Sequence, residues 1–120
     1  MKPKIEKTEF GSICVAGEIY DHDLLIRLDG SVHKRKKKLS KELYGTSHML
    51  SLAEADFIHE SGAQRLIFGS GQYGYCQLSP EAEAFFKDRG IAVTLLPTPE
   101  AIEEWNRVEG KVIGLFHITC

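Results

Sequence analysis

The chain has 120 residues, a formal charge of −2 and 42% apolar residues. That length suits one domain, expected to span residues 1–120, with a core able to fold without disulfide or metal staples. The charge gives no general attraction to nucleic acid or an anionic membrane, and no apolar run approaches the roughly 18–20 residues that cross a bilayer.

The opening MKPKIEKTEFG has lysines but no apolar run or cleavage-site pattern, and its glutamates argue against a transit peptide. Cys14, Cys76 and Cys120 are odd in number and widely spaced, as expected of thiols in a reducing compartment. A cytoplasmic protein is therefore expected.

The first third reads as β-rich, with apolar Ile5, Phe10, Ile13, Val15, Ile19 and Tyr20 and turn signals at Gly11 and Gly17. Residues 23–28 form a strand-like run, and Asp29-Gly30 after it signals a hairpin with a type I′ turn. A short helix is expected from Lys38 to Tyr44, stopped by Gly45. Ser51-Leu52-Ala53-Glu54 has the spacing of a capping box ahead of a helix whose Leu52, Ala55 and Ile58 share a face.

The second half alternates. Residues 65–68 form a strand, then Ser79-Pro80-Glu81 opens a helix with a cap, a proline in its first turn and an acid. Ala82, Phe85 and Phe86 are its apolar face, and Gly90 ends it. Residues 91–96 form the next strand, Thr98-Pro99-Glu100 repeats the opening chemistry, and Ala101, Ile102, Trp105 and Val108 face inward. Residues 112–118 close the pattern as an apolar strand. This strand–helix alternation predicts an α/β sheet covered by helices.

Between the strand at 65–68 and the Ser79 cap lies Gly69-Ser70-Gly71-Gln72-Tyr73-Gly74, with the glycine spacing of a dinucleotide loop. Such a loop places its third glycine at the start of a helix and needs an acid after the next strand. Here Tyr75-Cys76-Gln77-Leu78 intervene, and the next strand ends in Leu96-Pro97-Thr98. A dinucleotide cofactor is not expected. If the strands are parallel neighbours, the 69–74 turn and Pro97-Thr98 meet at their carboxyl ends, where open α/β sheets bind ligands. The helix starts at Ser79 and Thr98 would then lend positive partial charge to that edge. Gly69, Ser70, Gly71, Gln72, Gly74, Pro97 and Thr98 are the ligand-binding candidates there.

Thr46, Ser47 and His48 are the other candidates. Adjacent side chains in extended backbone face opposite ways, so Ser47 and His48 do not pair locally, and a partner such as His22 or His117 would have to come from folding. The basic run from His33 to Lys38 reads as a lysine-guarded edge, since no aromatic residue is interleaved for base stacking. Asp21-His22-Asp23 reads as a charged strand start, and Cys120 as a packed thiol. No metal and no cofactor are expected.

Together these stretches resemble the adipogenesis-associated MTH-type domain family, which includes a mitochondrial complex I assembly factor. The likeness rests on Tyr20-Asp21-His22-Asp23, Asp29-Gly30-Ser31-Val32, Gly45-Thr46-Ser47-His48, the 69–74 turn, Leu78-Ser79-Pro80-Glu81-Ala82, Leu96-Pro97-Thr98-Pro99-Glu100-Ala101 and His117-Ile118-Thr119-Cys120. The resemblance implies a three-layer α/β fold with a central mixed β-sheet flanked by helices and an N-terminal β-hairpin appendage. It brings no agreed catalytic residues. The assembly-factor branch works in mitochondria through protein partners; without a transit peptide, mitochondrial residence is not expected here. The sequence therefore points to a non-catalytic, assembly-factor-like binding protein, taking a protein partner or small ligand at the 69–74 edge. The alternative is a small hydrolase or transferase using Ser47, His48 or Ser70. Partner, ligand and oligomeric state are not legible.

Overall fold

The computed structural model of the chain describes residues 2–46 and 48–120. Strands β1 (Ile5–Glu9), β2 (Ser12–Val15) and β3 (Glu18–Tyr20) form an antiparallel meander in that order. The hairpin β4 (Leu24–Ile26) and β5 (Val32–Lys34) belongs to the main sheet. After helix α1 (Lys38–Tyr44), the short β6 (Met49–Leu50) leads into α2 (Leu52–Ile58). Then follow β7 (Arg65–Ser70), β8 (Gln77–Leu78), α3 (Pro80–Asp88), β9 (Ala92–Leu96), α4 (Thr98–Arg107) and β10 (Val112–His117).

The central sheet has the order β5-β4-β10-β7-β9; β10, β7 and β9 are parallel, and β4 and β5 are antiparallel to their neighbours. It is the mixed sheet that the resemblance implied. The N-terminal hairpin appendage is β1 with β2, and β3 extends it to a three-stranded meander.

The helices take opposite faces because the chain reverses direction across the sheet. It steps outward from β7 to β9 through α3 and returns across β7 to β10 through α4. Crossovers of one hand then lie on opposite sides. Leu66, Phe68 and Leu115 accordingly pack with Ala55, Ile58, Phe85 and Phe86 of α2 and α3. Ile67 and Phe116 pack with Ala101, Ile102 and Trp105 of α4 and with Ile5, Ile13 and Val15 of the meander. The ring edge of Trp105 meets Phe116 at 5.7 Å between centroids, and its indole N–H donates to the Pro3 carbonyl at 2.9 Å. Of the apolar residues read from the first third, Phe10 and Ile19 are exposed instead.

The type I′ turn falls elsewhere than expected. Ala16-Gly17, with φ of 50° and 84°, joins β2 to β3. At Asp29-Gly30 only the glycine has positive φ, and the connection spans residues 27–31, closed by the Gly30 N–H donating to the Arg27 carbonyl at 2.9 Å. The Asp29 carboxylate accepts from the Ser31 N–H and hydroxyl, which favours this longer turn. Ala16 is a non-glycine residue in left-handed backbone, a strained position that asparagine tolerates better. Ala16→Asn is therefore expected to stabilise the fold by about 0.5–1 kcal/mol, read as a raised urea midpoint at unchanged m-value.

Candidate functional site

The 69–74 turn and the Pro97-Thr98 corner do meet, on the rim formed by the carboxyl ends of β7, β9 and β10. The Thr98 N–H donates to the Gly71 carbonyl at 2.8 Å, and the Gly71 N–H donates to Thr98 Oγ1 at 2.9 Å. The same hydroxyl donates to the His117 carbonyl at 2.5 Å, so one side chain ties all three strand ends. Thr98 is thus not the cap of α4, as its sequence suggested. Pro97 occupies that position, and the Thr98 hydroxyl serves the rim.

Three further amides in and just after the turn serve residues 119–120. The Gln72 N–H donates to Thr119 O at 2.6 Å, and the N–H groups of Tyr73 and Tyr75 donate to Cys120 O at 3.2 and 3.3 Å. Gly71 has φ of 104°, and a Cβ there would lie 2.4 Å from the Cys120 carbonyl carbon. At Gly69 a Cβ would lie 2.9 Å from Thr98 Oγ1. Gly71 therefore admits the chain's own backbone, and Gly69 the Thr98 side chain. The Gln72 amide is tied to Thr8 Oγ1 at 3.0 Å. The helix starts are also occupied: Ser79 Oγ accepts the Ala82 N–H at 3.1 Å, and the first α4 amide is held by Gly71. These bonds take up the Ala82 and Thr98 amides, two of the donors expected to face a ligand.

Ser70, Gly74 and Pro97 line a cleft of about 390 Å³ on this rim, with Cys76, Leu95 and Glu83 around it. Ser70 is buried, and Glu83 is the charged lining residue. Cys76 is also buried, and burial, reinforced by the Asp23 and Glu54 charges against that of Arg35, pushes its thiol up to about 12. It stays protonated at neutral pH and is a poor nucleophile. Beside the cleft, Tyr73 and Tyr75 expose about two-thirds of their surface and lie 6.1 Å apart, with exposed Phe10 of the β1–β2 turn 6.2 Å from Tyr73.

A buried polar row crosses the same end of the sheet. In the parallel ladder His117 stands beside Ser70, and the alternation of β10 and β4 sets His117 and Asp23 on the face that α2 and α3 cover. His117 Nδ1 lies 2.7 Å from Asp23 Oδ2. Asp23 also accepts from Arg35 at 3.0 Å and from the Ile118 N–H at 3.0 Å. Burial pushes the Asp23 carboxyl up, but the hydrogen bond and charge of His117, the Arg35 charge and the Ile118 N–H outweigh it, leaving its pKa below the ordinary value. An ionised carboxylate only accepts, so His117 carries its proton on Nδ1, and Nε2 faces Thr119 Oγ1 at 3.2 Å.

Arg35 in turn forms a two-pronged pair with Glu54, at 2.6 and 2.9 Å. Burial opposes its charge, yet Glu54 and Asp23 hold its pKa above the usual value. Sequence reasoning placed Arg35 in a solvated basic run and Glu54 in a capping box. β5 is indeed an edge strand, but Arg35 is only 4% exposed. The box is half formed: Ser51 Oγ accepts the Glu54 N–H at 3.1 Å, while the Ser51 N–H is taken by Ser40 Oγ and the Glu54 carboxylate turns to Arg35 and Ser40. Asp23, read as a charged strand start, is a buried ion of this row.

Of the other candidates, Ser47 lies outside the described residues. Thr46 Oγ1 accepts the His48 N–H at 3.1 Å, and the His48 carbonyl accepts from Gln77 N–H. The His48 ring meets His117 edge-on, 5.3 Å between centroids. Cys120 joins them: the ligating atoms of His48, His117 and Cys120 all lie within 4.8 Å of one another. This triplet was missed because its members come from a turn, a strand end and the segment beyond it.

A family model described as a protein of unknown function (DUF498/DUF598) matches residues 5–117. The chain belongs to this family. Among solved structures, this DUF498/DUF598 chain is similar to the conserved hypothetical protein PH1505 from Pyrococcus horikoshii, at 32% identity and a TM-score of 0.87 over 98% of this chain and 99% of that one. It is also similar to MT938, at 30% identity and a TM-score of 0.83 over 99% and 100% of the two chains. A Bordetella pertussis protein described as an Mth938-like domain shares the fold at 16% identity, with a TM-score of 0.64 over 96% and 85% of the two chains. The DUF498/DUF598 family is thus the MTH-type family that the motifs suggested. Among the described residues no helix is long and apolar enough to cross a membrane.

Proposed function

We propose that the protein is a non-catalytic binding protein whose ligand is a small organic molecule, neutral or cationic, held in the cleft beside the 69–74 turn. The cleft itself carries the reading. Its volume of about 390 Å³ suits a small molecule, and it mixes apolar walls with the buried Ser70 hydroxyl. Glu83 at its lining disfavours an anion, and the backbone amides of Gln72, Tyr73 and Tyr75 already hold residues 119–120. Tyr73 and Tyr75 flank Gly74 on the turn with exposed rings, faces that suit a flat or cationic group.

Native mass spectrometry of protein purified from its own source tests this. One small organic mass per chain is expected. It should be absent from Leu95→Trp, which fills the cleft from an exposed edge-strand position, and a cationic ligand should be weakened by Glu83→Gln. A ligand that survives Leu95→Trp, or a protein partner indifferent to it, overturns the small-molecule assignment.

A hydrolytic or transfer reaction is the second reading, favoured by the Asp23–His117 pair. A carboxylate that orients an imidazole is half of a general-base arrangement, and Ser70 stands beside it in the ladder. Turnover of an activated ester that is lost in both His117→Gln and Ser70→Ala supports this reading; turnover unchanged in either variant removes it.

A further inference from the structure

We propose that His48, His117 and Cys120 form a binding site for a single transition-metal ion of the zinc class, independent of the ligand cleft. Their ligating atoms lie within 4.8 Å of one another. Tetrahedral zinc with nitrogen ligands at about 2.0 Å separates them by about 3.3 Å, so the site closes by side-chain rotation and a small shift of the turn bearing His48. Two imidazoles and a thiolate favour zinc over magnesium or calcium, which take oxygen ligands. Three protein ligands leave the fourth position open to water or an incoming group. His48 and Cys120 are half-buried, so the ion has a route from solvent.

The surroundings supply what three neighbouring side chains alone lack. The Asp23 carboxylate at 2.7 Å fixes the His117 proton on Nδ1 and leaves the Nε2 lone pair for a metal. Thr119 Oγ1, 3.2 Å from Nε2, is the contact that the ion displaces. Cys120 is held by its backbone: its carbonyl oxygen accepts from Tyr73 and Tyr75, and the adjoining Thr119 and Ile118 oxygens accept from Gln72 and Gly11. The glycine turn thereby fixes the third ligand. Cys120 binds as thiolate and gives its proton to solvent, with no redox change.

The probes are cobalt(II) and zinc(II) added to chelator-treated full chain. One cobalt per chain is expected, with tetrahedral d–d bands and a thiolate-to-cobalt charge-transfer band, all displaced by one equivalent of zinc. Cys120→Ser abolishes the charge-transfer band, and His48→Ala weakens zinc at least about tenfold; both positions are partly exposed, so these variants keep the fold. Asp23→Asn, where folded, weakens zinc about 10–100-fold without altering the cobalt spectrum. Cys14→Ser leaves every signal unchanged. A band that persists in Cys120→Ser, an octahedral cobalt spectrum, or zinc affinity equal in wild type and His48→Ala overturns the site. Ligand binding in the cleft, probed through Leu95→Trp, is unaffected by either result.

Discussion

Replacement of Arg35 by alanine is expected to destabilise the fold by about 3–5 kcal/mol, measured by urea unfolding. The guanidinium is fully buried, with the Glu54 carboxylate at 2.6 Å and the Asp23 carboxylate at 3.0 Å. Its loss strands Glu54, whose side chain has no access to water and keeps, among the described residues, the Ser40 hydroxyl at 2.5 Å. Most of the loss comes from that uncompensated charge, because an intact buried pair gives little net stability. The double variant Arg35→Met/Glu54→Leu should therefore recover most of it, while Asp23 keeps His117 and the Ile118 N–H. A single-variant loss below about 1 kcal/mol would show that water reaches Glu54 in solution.

The second large effect is expected at Gly71. Alanine there should reduce stability by about 2–3 kcal/mol, and should detach residues 119–120 from the turn. Two penalties combine. The backbone φ of 104° is one that L side chains rarely adopt, and the new Cβ would meet Cys120 C at 2.4 Å and Thr119 O at 2.7 Å. Those neighbours are main-chain atoms, so no rotamer change relieves the clash. Hydrogen exchange at the Gln72, Tyr73 and Tyr75 amides, whose acceptors lie in residues 119–120, should accelerate together. A change below about 0.5 kcal/mol with those amides still protected would contradict this account.

The helices were legible because their signals are local. Ser79 with Pro80, Gly45 after Tyr44, and the spacing of Ala82, Phe85 and Phe86 each act within a turn of helix, and the structure follows them. The meeting of the glycine turn with the proline corner was also legible, since parallel strands joined by helices bring their carboxyl ends to one rim. The buried row was not. Arg35 sits among lysines and Asp23 beside Asp21 and His22, and nothing local marks which charge of a run will find a partner. That is decided by β4, β5 and α2 converging, a tertiary event. The same holds for His48, His117 and Cys120, which no spacing rule connects. Thr98 shows the opposite failure: a strong local capping signal was overridden because its hydroxyl joins three strand ends.

The position of β10 also governs how the molecule comes into being. It sits between β4 and β7, so residues 24–26, paired on one side with β5, wait for residues 114–116 before the hydrogen bonds of their other edge can close. A nascent chain that has emerged through α3 holds two apolar strands with open inner edges and no strand between them. Such long-range pairing slows folding and prolongs exposure of sticky intermediates. The sheet is therefore completed only when residues 112–117 dock between strands that the chain laid down earlier.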